Sequence, residues 1–165
     1  MSDKRKIIGV IVENQPGVLA RIAGLFSSRN FNIESLAVGE TEDPTTSRMT
    51  IVASGDEIVL EQIEKQLNKL IDVIKVVDMT EENYVERELA LIKINTAEKD
   101  KTDLMHYVNI FKGKVMDTSQ DSIIVEITGN DERINSFLDI MKSFGIKEML
   151  RTGPVALIRE KKKKD

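Results

Sequence analysis

The sequence has no cysteine and no tryptophan, and aromatic residues make up only 4% of its 165 residues. The absence of cysteine excludes disulfides, thiolate metal ligands and a cysteine nucleophile, and it fits a reducing compartment. The shortage of aromatic rings removes the stacking surfaces on which single-stranded nucleic acid binds. We therefore expect a cytoplasmic protein with no nucleic-acid partner.

Long hydrophobic runs and an excess of positive charge are also missing. No apolar stretch approaches the roughly 20 residues that a membrane-spanning helix needs. The short apolar run at residues 7–12 has no small-residue cleavage site behind it, so we expect no signal peptide. The net charge is −4 and the pI is near 5.2, which disfavours binding to a phosphate backbone. We expect neither a membrane nor a nucleic acid as a partner.

The residue patterns of enzymes are absent as well. His106 is the single histidine, and no second histidine or cysteine could complete a metal site with it. The carboxylates fall in solvent-facing runs such as residues 40–43 and 81–88. There is no GxGxxG motif and no Walker loop. We therefore expect no catalytic residue, no metal and no cofactor in this chain.

Hydrophobic periodicity predicts one order of elements twice. The first half reads as a strand over 7–13, a helix from 18 to about 28–30 with Pro16 in its first turn, strands over 33–38 and 48–53, a helix over 60–71, and a strand over 73–78. Ser54 and Glu57 resemble a capping box for the second helix. This β-α-β-β-α-β order is that of a ferredoxin-like sandwich.

The second half repeats the plan. It reads as a strand over 89–95, a helix over 104–111, a hairpin of 114–118 with 123–128, a helix over 134–144, and short strands over 146–150 and 155–158. The acidic stretch at residues 79–88 separates the halves. The prediction is an α+β protein of two ferredoxin-like domains, residues 1–80 and 81–165.

In the stretch "VENQPGVLARIAGLF", two polar residues, a proline and a glycine lie between the first strand and the first helix. The N–H groups at a helix start have no partners, and the helix dipole adds partial positive charge, so this end attracts a carboxylate. Gly17 lets a ligand approach the backbone, and Asn14 offers a donor and an acceptor. An α-amino acid would match both, and Asn32 could add contacts from the same chain or from a second copy. Alternatively, Asn14 only caps the helix, Gly17 only permits the turn, and Asn32 only ends the following loop.

At these residues the sequence resembles the ACT domain, a small-molecule-sensing module of amino-acid metabolism. More narrowly, it resembles the regulatory small subunits of acetolactate synthase, also called acetohydroxyacid synthase. The segments that carry the resemblance are "VENQPGVLARIAGLFSSRNFNIESLAV", "DPTTSRMTI", "LEQIEKQLNKLIDVIKV" and "VERELALIKI", with a weaker match continuing to "GPVALIR".

The resemblance implies a regulatory role without catalysis. In that family the large subunit carries thiamine diphosphate, magnesium and FAD and condenses 2-oxo acids. The small subunit activates it and confers feedback inhibition, usually by valine. ACT domains of the family pair as dimers, with the effector at the seam. The effector-binding residues implied for this chain are Asn14, Gln15, Pro16, Gly17, Val18 and Leu19, with Asn32 and Ile33 facing them from the neighbouring copy.

Two other functions are compatible with the same fold. An acylphosphatase-like enzyme would use a phosphate-cradling loop, and Gly17 and Arg21 have a similar spacing, but Pro16 and the lack of further glycines oppose it. A free-standing amino-acid sensor would have the same loop chemistry with no catalytic subunit as its partner.

Overall fold

The computed structural model describes residues 4–55, 57–96 and 101–160. None of the helices within these ranges is both long enough and apolar enough to cross a lipid bilayer. The contacts divide the chain into two compact units. The first consists of residues up to 85 together with those from 155 onward, and the second consists of residues 86–154.

The first unit is a four-stranded antiparallel sheet with two helices. Its strand order is β2-β3-β1-β4, so β2 and β4 form the edges. The predicted ferredoxin-like βαββαβ plan is confirmed. The elements are β1 (Lys4–Glu13), α1 (Val18–Ser28), β2 (Asn32–Glu40), β3 (Thr46–Gly55), α2 (Glu57–Leu67) and β4 (Val73–Asp78).

Alternation along β1 decides which face of the sheet the helices cover. Ile8, Val10 and Val12 are buried in one core together with Ile22 and Phe26 of α1. The strand residues are two apart and the helix residues four apart, as one-sided burial requires. Because β1 ends at residue 13 and α1 begins at residue 18, the chain must reverse within four residues.

The second unit repeats the plan around its own core. Its strand order is β6-β7-β5-β8. The predicted hairpin is confirmed, since β6 and β7 pair antiparallel. Ile92 and Phe137 are fully buried in this core. The elements are β5 (Tyr84–Asn95), α3 (Lys101–Ile110), β6 (Lys114–Thr118), β7 (Ser122–Gly129), α4 (Asp131–Lys142) and β8 (Ile146–Arg151).

The last strand, β9 (Val155–Ile158), groups with the first unit. Ala156 is buried with Ile7 and Val52, on the face of the first sheet that the helices leave open. Its N–H donates to Thr50 Oγ1 at 3.3 Å. The sequence prediction divided the chain between residues 80 and 81. The contacts differ from that division, because residues 81–85 and β9 group with the first unit. β9 packs on the open face of the first sheet rather than joining it as a strand.

The predicted boundaries of the second helix are wrong at both ends. Ser54 does not cap α2, because it lies in β3 opposite Arg5 and Asn32 and its backbone is extended. The helix ends at Leu67, and Ile71 lies beyond it with 94% of its surface exposed. Hydrophobic spacing identified the buried face of α2 but not the residue at which the chain leaves the helix.

Candidate functional site

The turn between β1 and α1 depends on one glycine. Gly17 is the N-cap of α1 with φ 87° and ψ −10°, in the left-handed region that strains other residues. No side chain caps the helix. The prediction that Pro16 lies in the first helical turn is wrong, because the left-handed Gly17 follows it and the helix begins only at Val18.

The start of α1 presents free backbone donors. Val18 N–H makes only a long hydrogen bond, 3.4 Å, to the Gln15 carbonyl. The N–H groups of Leu19 and Ala20 have no hydrogen-bond partner within the described ranges. No acidic residue lies in the first turn, so the positive end of the helix dipole is not neutralised there. This end of α1 can therefore accept an anion.

The side chains of the predicted loop divide into two groups. Val18 is buried in the core, with 3% of its surface exposed, so only its backbone faces the turn. Gln15, Pro16 and Gly17 are exposed, and Leu19 is 45% exposed. Leu19 is therefore the apolar side chain of the loop that could contact a ligand.

Asn14 is fixed by bonds to the segment that follows β2. Its backbone N–H donates to the Thr45 carbonyl at 2.7 Å. Its Nδ2 donates to the Pro44 carbonyl at 2.9 Å and to Glu40 Oε1 at 3.2 Å. The alternative that Asn14 caps α1 is therefore excluded. Its Oδ1 accepts no hydrogen bond from the described residues, so it remains available to a ligand donor.

The segment that holds Asn14 is itself held by Asp43. Thr45 donates to Asp43 Oδ1 through its hydroxyl at 2.7 Å and through its N–H at 2.9 Å. These two bonds lower the pKa of the Asp43 carboxyl below its ordinary value. Asp43 therefore stays ionised at neutral pH and keeps the Thr45 carbonyl in place for Asn14.

Two charged residues at the turn were not among the predicted effector-binding residues. Glu40 contacts Asn14, as described above. Arg21 binds Asp72 through Nε at 2.6 Å, and its Nη1 lies 3.7 Å from the position of a Cβ on Gly17. The signal for Glu40 is in the topology: β1 and β2 both pair antiparallel with β3, so their C-terminal ends lie at one end of the sheet.

Asn32 lies at the other end of the sheet within one chain. It begins β2 opposite Ser54, whereas Glu40 ends β2 opposite Ser47. At about 3.3 Å per strand residue, these two ends are about 23 Å apart. Ile33 beside it is half-buried against the core. Asn32 is the first residue of β2, directly after the loop that follows α1, and it pairs with Ser54.

Comparison with known proteins matches both halves of the chain. Residues 8–75 match the family described as the small subunit-like ACT domain of acetohydroxyacid synthase, and residues 87–160 match the family described as the small subunit of acetolactate synthase. The chain belongs to the acetolactate synthase small subunits.

Relatives in this family match nearly the whole chain. A probable acetolactate synthase small subunit of Archaeoglobus fulgidus is 53% identical, covering 94% of this chain and 98% of its own. The acetolactate synthase small subunit of Aquifex aeolicus is 50% identical over 95% of this chain and 82% of its own. The resemblance drawn from the sequence is confirmed, and this member of the small-subunit family is regulatory rather than catalytic.

A solved structure supports the same assignment. The acetolactate synthase small subunit of Thermotoga maritima is 42% identical and superposes with a TM-score of 0.85, covering 96% of this chain and 99% of its own. The fold described above is therefore that of the small-subunit family.

Proposed function

We propose that this small subunit activates the catalytic subunit of acetolactate synthase and confers feedback inhibition by valine or a related branched-chain amino acid. The name "small subunit" that its relatives carry implies a larger catalytic partner. The observation that carries the valine proposal is the pair of unpartnered N–H groups where α1 begins.

The turn offers a separate group to each part of an α-amino acid. The N–H groups of Leu19 and Ala20 would hold the carboxylate. The ammonium group needs acceptors, which Asn14 Oδ1 and the Glu40 carboxylate provide side by side. The exposed Leu19 side chain would contact the aliphatic group.

Asn32 and Ile33 would complete this site from a second copy of the chain. β2 is an edge strand, and an exposed edge pairs readily with another strand. In an antiparallel β2–β2 pair about a two-fold axis, the start of one β2 lies beside the end of the other. Asn32 of the second copy would then approach Glu40 and Asn14 of the first copy. Within one chain, Asn32 is too far from these residues to contact them.

The exposed surface of α1 favours the same pairing. Ala20, Ala23, Gly24 and Ser27 recur at helical spacing and are all exposed. A Cβ built on Gly24 would meet no atom within 4 Å. Two α1 helices from abutting sheets could therefore approach closely. The homodimer through the ACT domains would be built from β2 and α1.

Selectivity among branched amino acids should be modest. Burial of an isopropyl group is worth about 1.5–3 kcal/mol. One methylene more or less in an apolar pocket changes the affinity by a similar or smaller amount. Regulation requires that the amino acid bind one arrangement of the paired subunits better than the other.

The test adds this chain to the catalytic subunit of its own acetolactate synthase and titrates valine. We expect synthase activity to rise on mixing and to fall with valine. Asn14→Ala and Gly17→Asp should blunt the inhibition and leave the activation intact. Full valine sensitivity in both variants would contradict the assigned site. No rise in activity on mixing would favour a free-standing sensor instead.

A further inference from the structure

A cavity, separate from the turn at Asn14, lies on the face of the first sheet that carries no helices. Its volume is about 310 Å³, and β1, β3, β4 and β9 all contribute to its lining. Gly9 and Ile11 of β1 line it between β3 and β4, and Leu157 and Ile158 of β9 line it from the other side. Because Gly9 and Ile11 alternate with the core residues of β1, the cavity is separated from the helical core by the sheet itself.

Gly9 makes room for the side chain of Met79 at this cavity. A Cβ at this position would collide with the terminal methyl group of Met79, which also lines the cavity. Met79 therefore packs directly on the backbone of β1 and forms part of the cavity wall. The volume is within the usual range of small-molecule sites, which are mostly apolar with a few polar groups.

Two cationic side chains stand on opposite sides of Ile11. Arg48 of β3 and Lys75 of β4 both pair in register with Ile11, so all three lie in one row across the sheet. Neighbouring strands are about 4.8 Å apart, which places the two backbones about 10 Å apart. Neither cation has an acidic partner among residues 4–55, 57–96 and 101–160. Two like charges over an apolar surface repel each other, and an anion between them would remove that repulsion.

The lining also indicates which anion fits. Its apolar members are aliphatic, so they favour an alkyl group over an aromatic ring. Among the described residues, none that lines it has a carboxylate that could pair with an ammonium group. In this respect it differs from the turn at Asn14, where Glu40 is present.

We propose that this cavity binds an aliphatic carboxylate that lacks an amino group. Arg48 and Lys75 bind the carboxylate, and the alkyl chain packs on Ile11, Val77 and Leu157. Charge-assisted hydrogen bonds supply most of the specificity, since arginine can bind both carboxylate oxygens at once. The site is separate from the proposed valine site, and neither depends on the other.

The test is an NMR titration of the isotope-labelled full chain with isocaproate, and with the neutral alcohol isohexanol as the control ligand. We expect saturable shifts at Gly9, Ile11 and Leu157 with isocaproate and none with isohexanol. The double variant Arg48→Met, Lys75→Met should weaken isocaproate binding about tenfold or more. Lys69→Met removes an exposed lysine outside the cavity and should leave it unchanged.

Three results would overturn the proposal. One is the absence of saturable binding, and another is binding that survives loss of both cations. The third is loss of isocaproate binding on adding the catalytic subunit, together with failure of the double variant to associate with that subunit, because the face would then be a protein interface. Gly17→Asp should abolish valine binding and spare isocaproate binding, so failure of one site is distinguishable from failure of the other.

Discussion

Gly17 is constrained by its backbone conformation. The constraint is its φ of 87° and not a steric clash, because a Cβ there would meet only Arg21 Nη1, at 3.7 Å. A side chain at this position would therefore fit in space and still strain the backbone. The two effects of a substitution, strain and added charge, can be separated with two variants.

Gly17→Ala should lose about 1–2 kcal/mol of stability from the left-handed backbone, and Gly17→Asp should lose less, because Asp tolerates this region better than Ala. Gly17→Asp should lose far more valine affinity, because its carboxylate competes with that of the ligand for the N–H groups of Leu19 and Ala20. Chemical denaturation gives the stabilities and calorimetry the affinities. Gly17→Asn, which tolerates this backbone region, is the matched control. Equal valine affinity in Gly17→Asp and Gly17→Ala would contradict the role assigned to the amides.

Part of the candidate site could be predicted from the types of residue in the sequence. Asn14 and Gly17 stand out because, before a helix start, an amide offers a donor and an acceptor and a glycine leaves the backbone open to a ligand. Glu40 did not stand out, because its position beside Asn14 depends on how the segment of residues 41–46 folds back to β1. Asn32 was predicted to act from a second copy or from the same chain. A contact from the same chain is excluded, because the sheet separates Asn32 from Asn14 by nearly the length of β2.

Among the elements, β5 begins earlier than its hydrophobicity indicates. The acidic stretch at residues 79–88 reads as a linker, yet Tyr84 starts the strand and Glu88 is only 4% exposed. Arg151 of β8 binds both Glu88 oxygens at 2.7 Å and Asp131 at 2.8 Å. The hydrogen bonds that Arg151 donates to Glu88 are the largest cause of the raised pKa of Arg151. The buried charge of Glu88 is tolerated in this strand because Arg151, from a strand distant in sequence, pairs with it.

Arg151→Met should destabilise the second unit by about 3–5 kcal/mol, because it leaves the Glu88 carboxylate buried without its partner. Removing the carboxylate charge as well, in Arg151→Met with Glu88→Gln, should recover part of the loss. Lys142→Met breaks an exposed ion pair with Asp139 and should cost less than about 1 kcal/mol. Urea denaturation measures all three. Equal losses in Arg151→Met and Lys142→Met would contradict the importance of the buried pair.

Periodicity predicted the order and type of the elements better than their ends. Spacing of apolar residues reports which face is buried, and both cores bury those residues. It does not report hydrogen bonding, so Ser54 and Ile71 were assigned to α2 although neither belongs to it. The packing of β9 on the open face of the first sheet depends on contacts between residues more than a hundred positions apart in sequence.

For the molecule as a whole, the account requires two copies of the chain. β2 is an unpaired edge within one chain, and α1 exposes small residues. These are the two surfaces that the proposed dimer buries.

Gly24→Arg should give a folded monomer with little valine affinity. The chain itself has room for the side chain, since nothing lies within 4 Å of a Cβ at Gly24, whereas a facing α1 would not. Gly24→Ala should keep the dimer and gain up to about 1 kcal/mol, because alanine favours a helix. Sedimentation analysis gives the mass and circular dichroism the folding. A dimeric Gly24→Arg variant would mean that the copies associate elsewhere.

Complementation between two defective chains tests the shared valine site most directly. Gly17→Asp damages the turn, and Asn32→Ala damages the residue donated to the other copy, so each variant alone should bind little valine. In a refolded equal mixture, each mixed dimer would hold one intact site, restoring about a quarter of the wild-type sites. Calorimetry should show that about this fraction of the sites binds valine with wild-type affinity. No recovery in a mixture shown to contain mixed dimers would contradict a site built from two chains.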